Sequence, residues 1–232
     1  MRGRGPILLL LSVLATGCCR AGGDAEVALQ TVEELDVAAL IEASDLDDEV
    51  LQRALTAHRC ALQDGSLDAD DASLLTVVDF SLPSTERRLW VLDLDAGEVR
   101  FHELVAHGKN TGANRAKDFS DEPGSLQSSL GVYRTARTYQ GKHGHSLKLD
   151  GLEPGFNGNA RDRAIVMHGA SYVSEAFIAE HGRLGRSWGC PALDEAVAVE
   201  VIDAIAGGSL LVVDYPDEGW LAGSAFLHCD DD

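Results

Sequence analysis

Two residues of this chain combine in a way that could make and break acyl bonds. Cys190 stands in the run Gly185-Arg186-Ser187-Trp188-Gly189-Cys190-Pro191. His168 closes the apolar run Ala164-Ile165-Val166-Met167-His168-Gly169. A thiol attacks carbonyls as a thiolate, so it needs a base or a field that favours negative charge. His168, at the exit of a buried strand, is the base this sequence offers. Cys190 also sits just before residues 193–206, which read as an amphipathic helix with Asp194 and Glu195 in its first turn and Gly207-Gly208 past its end. The N-terminus of that helix would lower the thiol pKa. Gly189 permits close approach of backbone or substrate, and consecutive N–H groups beside the sulfur could cradle an oxyanion. Local pattern alone leaves a bland alternative open, an inert buried cysteine and an unrelated loop histidine.

The elements that would position this pair read as a strand-rich domain. Leu74–Phe80, Leu89–Leu94 and Val99–Ala106 are apolar and β-branched, and Asp95-Ala96-Gly97 turns the last two into a hairpin. Residues 107–129 are rich in Gly, Ser, Asn and Asp and read as a long loop, which in a compact domain is usually functional. Gly131–Tyr139, Ser146–Leu149, Ala164–His168 and Leu210–Tyr215 read as further strands, and Ser174–Glu180 as a short helix. Residues 20–72 are acidic and read as helix. Asp45 or Asp47 can cap a helix with the stripe Val50, Leu51, Ala54, Leu55 and Leu62.

Charge is distributed unevenly over the 232 residues. The formal total is −19, which argues against general nucleic-acid binding, since that needs a basic face. Residues 100–190 hold 12 bases and 9 acids, net +3, between acidic flanks of −12 and −10. A site for an anionic substrate belongs in that middle. Arg2 and Arg4 precede the apolar run Ile7–Leu14, the pattern of an export signal too short to remain as a membrane span. Leu14-Ala15-Thr16-Gly17-Cys18 resembles a bacterial lipoprotein box, which makes Cys18 the lipidation candidate and predicts a membrane-anchored, exported, periplasmic or cell-envelope protein. Export permits disulfides. Cys60, Cys190 and Cys229 cannot all pair with one another, so a pair Cys60–Cys229 would leave Cys190 free; pairing itself is not legible from sequence. His143-Gly144-His145 lacks the helical spacing of a zinc site, and no metal is predicted.

His168-Gly169 followed by Ser187-Trp188-Gly189-Cys190 resembles the signature of YkuD-type L,D-transpeptidases. The commoner signature has a His where Trp188 stands, and the substitution is similar to the YkuD_2-like branch of murein L,D-transpeptidase catalytic domains. The likeness extends in order through Val78-Asp79-Phe80-Ser81, Arg88-Leu89-Trp90-Val91, His107-Gly108-Lys109-Asn110-Thr111-Gly112, Ser128-Ser129-Leu130-Gly131, Gly141-Lys142-His143-Gly144 and Gly182-Arg183-Leu184-Gly185-Arg186. It implies a mainly β, sandwich-like catalytic domain with few helices, acting on peptidoglycan stem peptides without a cofactor. It implies Cys190 as nucleophile, His168 as base oriented by the carbonyl of Gly169, and the Gly189 and Cys190 amides as oxyanion donors. Ser187 either binds substrate or holds its loop. Trp188 is a pocket wall or a core aromatic, and Arg186 pairs with a substrate carboxylate or a structural partner. Asn110, Ser128, Ser129 and His143 are expected at the substrate cleft.

The expected organisation is a signal peptide at 1–17, an acidic helical segment at 18–72, the catalytic domain at 73–216 and an acidic tail at 217–232. The expected activity is transfer of a tetrapeptide stem through a thioester to a neighbouring stem amine. An L,D-carboxypeptidase and a non-catalytic peptidoglycan-binding lipoprotein are the alternatives. A papain-like protease is disfavoured, because the histidine precedes the cysteine.

Overall fold

The computed structural model of the protein describes residues 37–229. Among them, nine strands form one mixed sheet: β1 (Leu74–Asp79), β2 (Leu89–Asp93), β3 (Glu98–Glu103), β4 (Val105–Ala106), β5 (Gly131–Gly141), β6 (Gly144–Gly151), β7 (Val166–Gly169), β8 (Ala192–Leu193) and β9 (Leu210–Asp214). Their spatial order is β3-β2-β1-β9-β5-β6-β7-β8-β4. The β1–β9 and β7–β8 pairs are parallel, and the others are antiparallel. A register shift between Thr135 and Thr138 interrupts the β5–β6 ladder, and such bulges bend a sheet. β1 is buried at every position, as its near-continuous apolar sequence requires of a strand covered on both faces.

The helices are α1 (Val37–Ser44), α2 (Asp48–Gln63), α3 (Glu175–His181), α4 (Ala198–Ile205) and α5 (Glu218–Gly223). α2 starts where the sequence places it. The Asp47 carboxylate accepts from the amides of Glu49 (3.0 Å) and Val50 (3.3 Å), two donors the first turn would leave unpaired. The stripe Val50, Leu51, Ala54, Leu55 and Leu62 is buried in the same core as the sheet.

Residues 37–72 are therefore built into the sheet domain and not appended to it. Arg53 of α2 donates to both carboxylate oxygens of buried Asp214 at the end of β9, at 2.7 and 3.0 Å. The Trp90 indole of β2 donates to Ser44 O at 2.7 Å. The C-terminal segment, expected as an acidic tail, is likewise docked up to residue 229, while Asp230–Asp232 lie outside the described residues. Trp220 of α5 is fully buried, and Cys229 is disulfide-bonded to Cys60 of α2. Cys190 is the free thiol among the described cysteines. Cys18 and the signal segment lie outside the described residues.

One element differs from the sequence reading where it matters for the site. The helix expected from 193 begins at Ala198, because Ala192 and Leu193 are drawn into the sheet as β8. They pair in parallel with His168 and Gly169 of β7 and antiparallel with Ala106 and Val105 of β4. Cys190 thus precedes a strand.

Candidate active site

β7 is the middle strand of three. Ser146 of β6 lies opposite His168 on one side and Ala192 of β8 on the other. Two ladders fix the His168 backbone, and the chain leading into β8 carries Cys190. A short-range turn holds that chain. The Ser187 hydroxyl donates to Cys190 O at 2.6 Å and accepts from Gly189 N at 3.0 Å. Ser187 also joins the 107–109 segment, its N–H donating to His107 O (2.9 Å) and its carbonyl accepting from Lys109 N (2.8 Å). Gly189 sits at φ +125°, and a Cβ there would lie 2.6 Å from Gln127 O and 3.0 Å from Ile165 Cδ1. Only glycine fits this passage.

Cys190 and His168 line one cavity of about 320 Å³, together with Lys142, His143, Tyr172 and Trp188 among others. His168 Nδ1 donates to Gly169 O at 2.9 Å. A carbonyl can only accept, so Nδ1 carries the hydrogen and Nε2 keeps its lone pair. Burial lowers the His168 pKa; the Gly169 bond opposes it, and His143 and Lys142 add smaller contributions in the lowering direction. The ring is neutral near pH 7, as a base must be.

The cysteine departs from expectation. With no helix N-terminus behind it, burial pushes the Cys190 thiol up. The Val166 amide, the guanidinium of Arg163, the ammonium of Lys142 and the thiol's own amide act against that rise. The sulfur lies 3.8 Å from Ala164 O, an orientation that suits a protonated S–H. A neutral thiol and a neutral imidazole that share one cavity are the protonation states a proton transfer from sulfur to nitrogen would start from.

The family model described as the L,D-transpeptidase catalytic domain matches residues 42–214. The chain belongs to this family. No curated protein matches it. Among solved structures, an L,D-transpeptidase from Mycobacterium smegmatis is similar at 15% identity over 62% of this chain and 59% of its own, with a TM-score of 0.38. Mycobacterium tuberculosis L,D-transpeptidase 1 gives 14% identity, 61% of each chain and a TM-score of 0.35. An L,D-transpeptidase (Yku) from Stackebrandtia nassauensis gives 13% identity, 86% of this chain and 93% of its own, and a TM-score of 0.38. The chain spans less than two thirds of the length of the first two.

Within this L,D-transpeptidase domain the other residues singled out by sequence separate into two groups. Trp188, Arg186 and His143 line the cavity. Trp188 is 68% exposed, so it is a wall of the cavity and no part of the core. One arm of Arg186 donates to Lys109 O and Gly112 O at 3.0 and 2.9 Å, so its head is anchored to backbone.

Ser128, Ser129 and Asn110 serve the scaffold. Ser128 Oγ donates to Gly189 O at 3.1 Å and accepts from Gly108 N at 3.0 Å. Buried Ser129 donates to Ser120 O at 3.1 Å, and Asn110 donates to Ser125 O at 2.8 Å. Their hydroxyls and amide satisfy loop backbone that would otherwise be orphaned. The Gly189 amide, expected as an oxyanion donor, is occupied by Ser187. The Cys190 amide is the one of the two left for that role.

Sequence reasoning missed Arg163, Tyr139, Lys142 and Tyr172, all in the cavity wall. Arg163 is the organiser of the long loop. It donates to Ser120 O (2.7 Å), Gln127 O (2.6 Å), Ser125 Oγ (3.1 Å) and the Ser129 hydroxyl, and it lies 3.6 Å from Asp121. Behind the loop, fully buried Arg88 donates to Leu82 O, Val105 O and His107 Nδ1. Among the described residues no cluster of three or more His, Cys, Asp or Glu could hold a metal.

Proposed function

We propose that this member of the family is a peptidoglycan L,D-transpeptidase with Cys190 as nucleophile and His168 as general base and acid. The carrying observation is the shared cavity, in which a neutral imidazole locked by Gly169 O faces the same space as the one free described thiol. Cys190 Sγ attacks the carbonyl carbon of the third stem residue while His168 Nε2 takes the thiol proton. The tetrahedral intermediate collapses, the C–N bond to the terminal D-Ala breaks, and His168 returns the proton to the leaving amine. A thioester remains. An amine of a neighbouring stem attacks it, passes its proton to His168 and releases the thiol, giving a 3→3 cross-link. Arg186 and Lys142 supply positive charge for stem carboxylates. We further assign the protein to the cell envelope, tethered through a lipid on Cys18.

Mass spectrometry tests the chemistry. Purified protein incubated with a carbapenem should gain one adduct at Cys190, and with disaccharide-tetrapeptide it should release D-Ala and form a dimer. D-Ala release without dimer would assign it as a carboxypeptidase. No adduct and no release would sink the catalytic reading. For the anchor, Cys18→Ser should move the protein out of the membrane fraction; unchanged fractionation defeats it.

A further inference from the structure

The position that carries a second histidine in the commoner signature is Trp188 here, yet the site does hold a second imidazole. It comes from the turn between β5 and β6. The His143 ring stacks on His168 with centroids 4.3 Å apart and planes 20° from parallel. Its neighbour Lys142 places Nζ 5.3 Å from the centroid of the Trp188 ring. One turn therefore touches both walls of the cavity, through His143 on the base and through Lys142 on the loop that bears the thiol.

The turn is held in place by the second histidine of the His-x-His motif. His145 Nε2 donates to Asp203 of α4 at 2.6 Å, and its Nδ1 accepts from Gln140 at 3.2 Å. Gly144, at φ +75°, breaks the strand alternation that would put residues 143 and 145 on one face. His143 goes to the cavity, and His145 goes to the helix. The ladder from Ser146 to His168 keeps the turn in register with β7.

We propose that His143, supplied from the β5–β6 turn, is the positioning residue of the catalytic base. This rests on the reading of Cys190 and His168 as the reacting pair. A stacked ring removes the swing of the His168 side chain that its single Nδ1 bond leaves open, and fixed orientation is worth much in proton transfer. A charge on His143 also disfavours a second charge on His168, which agrees with the direction His143 and Lys142 impose on it. The other titratable or charged groups lining the cavity with His168 are Cys190 and Arg186 from the loop before β8, Tyr139 of β5, Tyr172 from the loop after β7 and Arg163 from the loop before it.

The test compares His143→Ala and His143→Phe with the native protein. His143 is exposed on a turn, so both variants should fold. Two readouts are taken: the His168 titration by NMR, and the pH profile of Cys190 acylation by a carbapenem. In the Ala variant the His168 titration should move to higher pH, and acylation near neutrality should fall by about tenfold. The acid limb of the profile should shift in the same direction. The Phe variant keeps a ring but no charge, so it should recover most of the rate while its titration stays shifted. An Ala variant whose His168 titration and acylation profile both match those of the native protein overturns the proposal. The titration needs no substrate, so it remains decisive if the carbapenem fails to react, a failure that would count against the transpeptidase reading instead.

Discussion

His168 donates from Nδ1 to the carbonyl of Gly169, the next residue, at 2.9 Å. The bond is as local as a side-chain bond can be, and it settles the tautomer without a carboxylate. A carboxylate would hold the imidazolium and raise the pKa; a carbonyl orients the ring and adds less charge stabilisation. Burial then keeps the ring neutral.

The first prediction concerns pH. The His168 pKa is pushed below 6.5 and the Cys190 pKa is pushed up. Acylation should therefore rise through an acid limb centred below 6.5 and level off near neutrality. His168→Gln should lower the rate at pH 7 by roughly 10²–10⁴-fold. What remains should climb with pH through the raised thiol ionisation. Stopped-flow acylation over pH 5–10 measures both; a residual rate flat with pH would mean that the thiol needs no base.

Gly189→Ala should disable the site while leaving most of the fold. The new methyl meets the Gln127 carbonyl at 2.6 Å, in a backbone conformation (φ +125°) that alanine avoids. The cost is about 1–3 kcal/mol, and relief requires the Ser187–Pro191 passage to move. Acylation at Cys190 should drop by at least about tenfold with a modest fall in Tm. A native-like rate would show that the passage tolerates displacement.

Arg163→Met removes a guanidinium that donates to four residues of the 120–129 loop. Truncating a buried, fully bonded charge costs on the order of 3 kcal/mol, here concentrated in one loop. Hydrogen exchange should speed up across 120–129 and much less in β1 and β9. Arg163 also favours the Cys190 thiolate, so the apparent thiol pKa should rise further, readable by alkylation rate against pH. Unchanged exchange in the loop would refute its role as organiser.

The strands and the capped helix α2 were legible because each is written in local pattern: β-branched runs, an Asp before an apolar stripe. The start of α4 was not. The helical pattern runs back to Leu193, and only the place between β7 and β4 makes Ala192–Leu193 a strand. The backbone bonds of Ser128 and Ser129 were not legible, because polar loop sequence does not say which way its hydroxyls turn. Arg163 and His143 were illegible as partners for the same reason. Their contacts span 34 to 43 residues for Arg163 and the distance from the β5–β6 turn to β7 for His143, and sequence spacing carries no signal for either.

Acid stability supplies the last prediction. His58 of α2 is fully buried, donates from Nε2 to Ala72 O at 2.8 Å, and its Nδ1 has no hydrogen-bond partner. Burial lowers its pKa to about 4. The folded value lies below the ordinary 6.5, so protons bind the unfolded chain more tightly. The contribution of His58 is therefore complete above pH 6.5 and is lost as pH falls toward 4, by about 3 kcal/mol. His107, also lowered to about 4, adds a limb of the same sign in the same window. Gln at position 58 keeps an amide that can reach the Ala72 carbonyl and cannot be protonated. His58→Gln should leave stability at pH 7.5 little changed or modestly reduced and flatten about half of the loss between pH 6.5 and 4. Urea unfolding at a series of pH values gives both slopes. Equal slopes in the two proteins would mean that His58 is reached by water and titrates normally, and the buried, singly bonded imidazole would then have no part in acid unfolding.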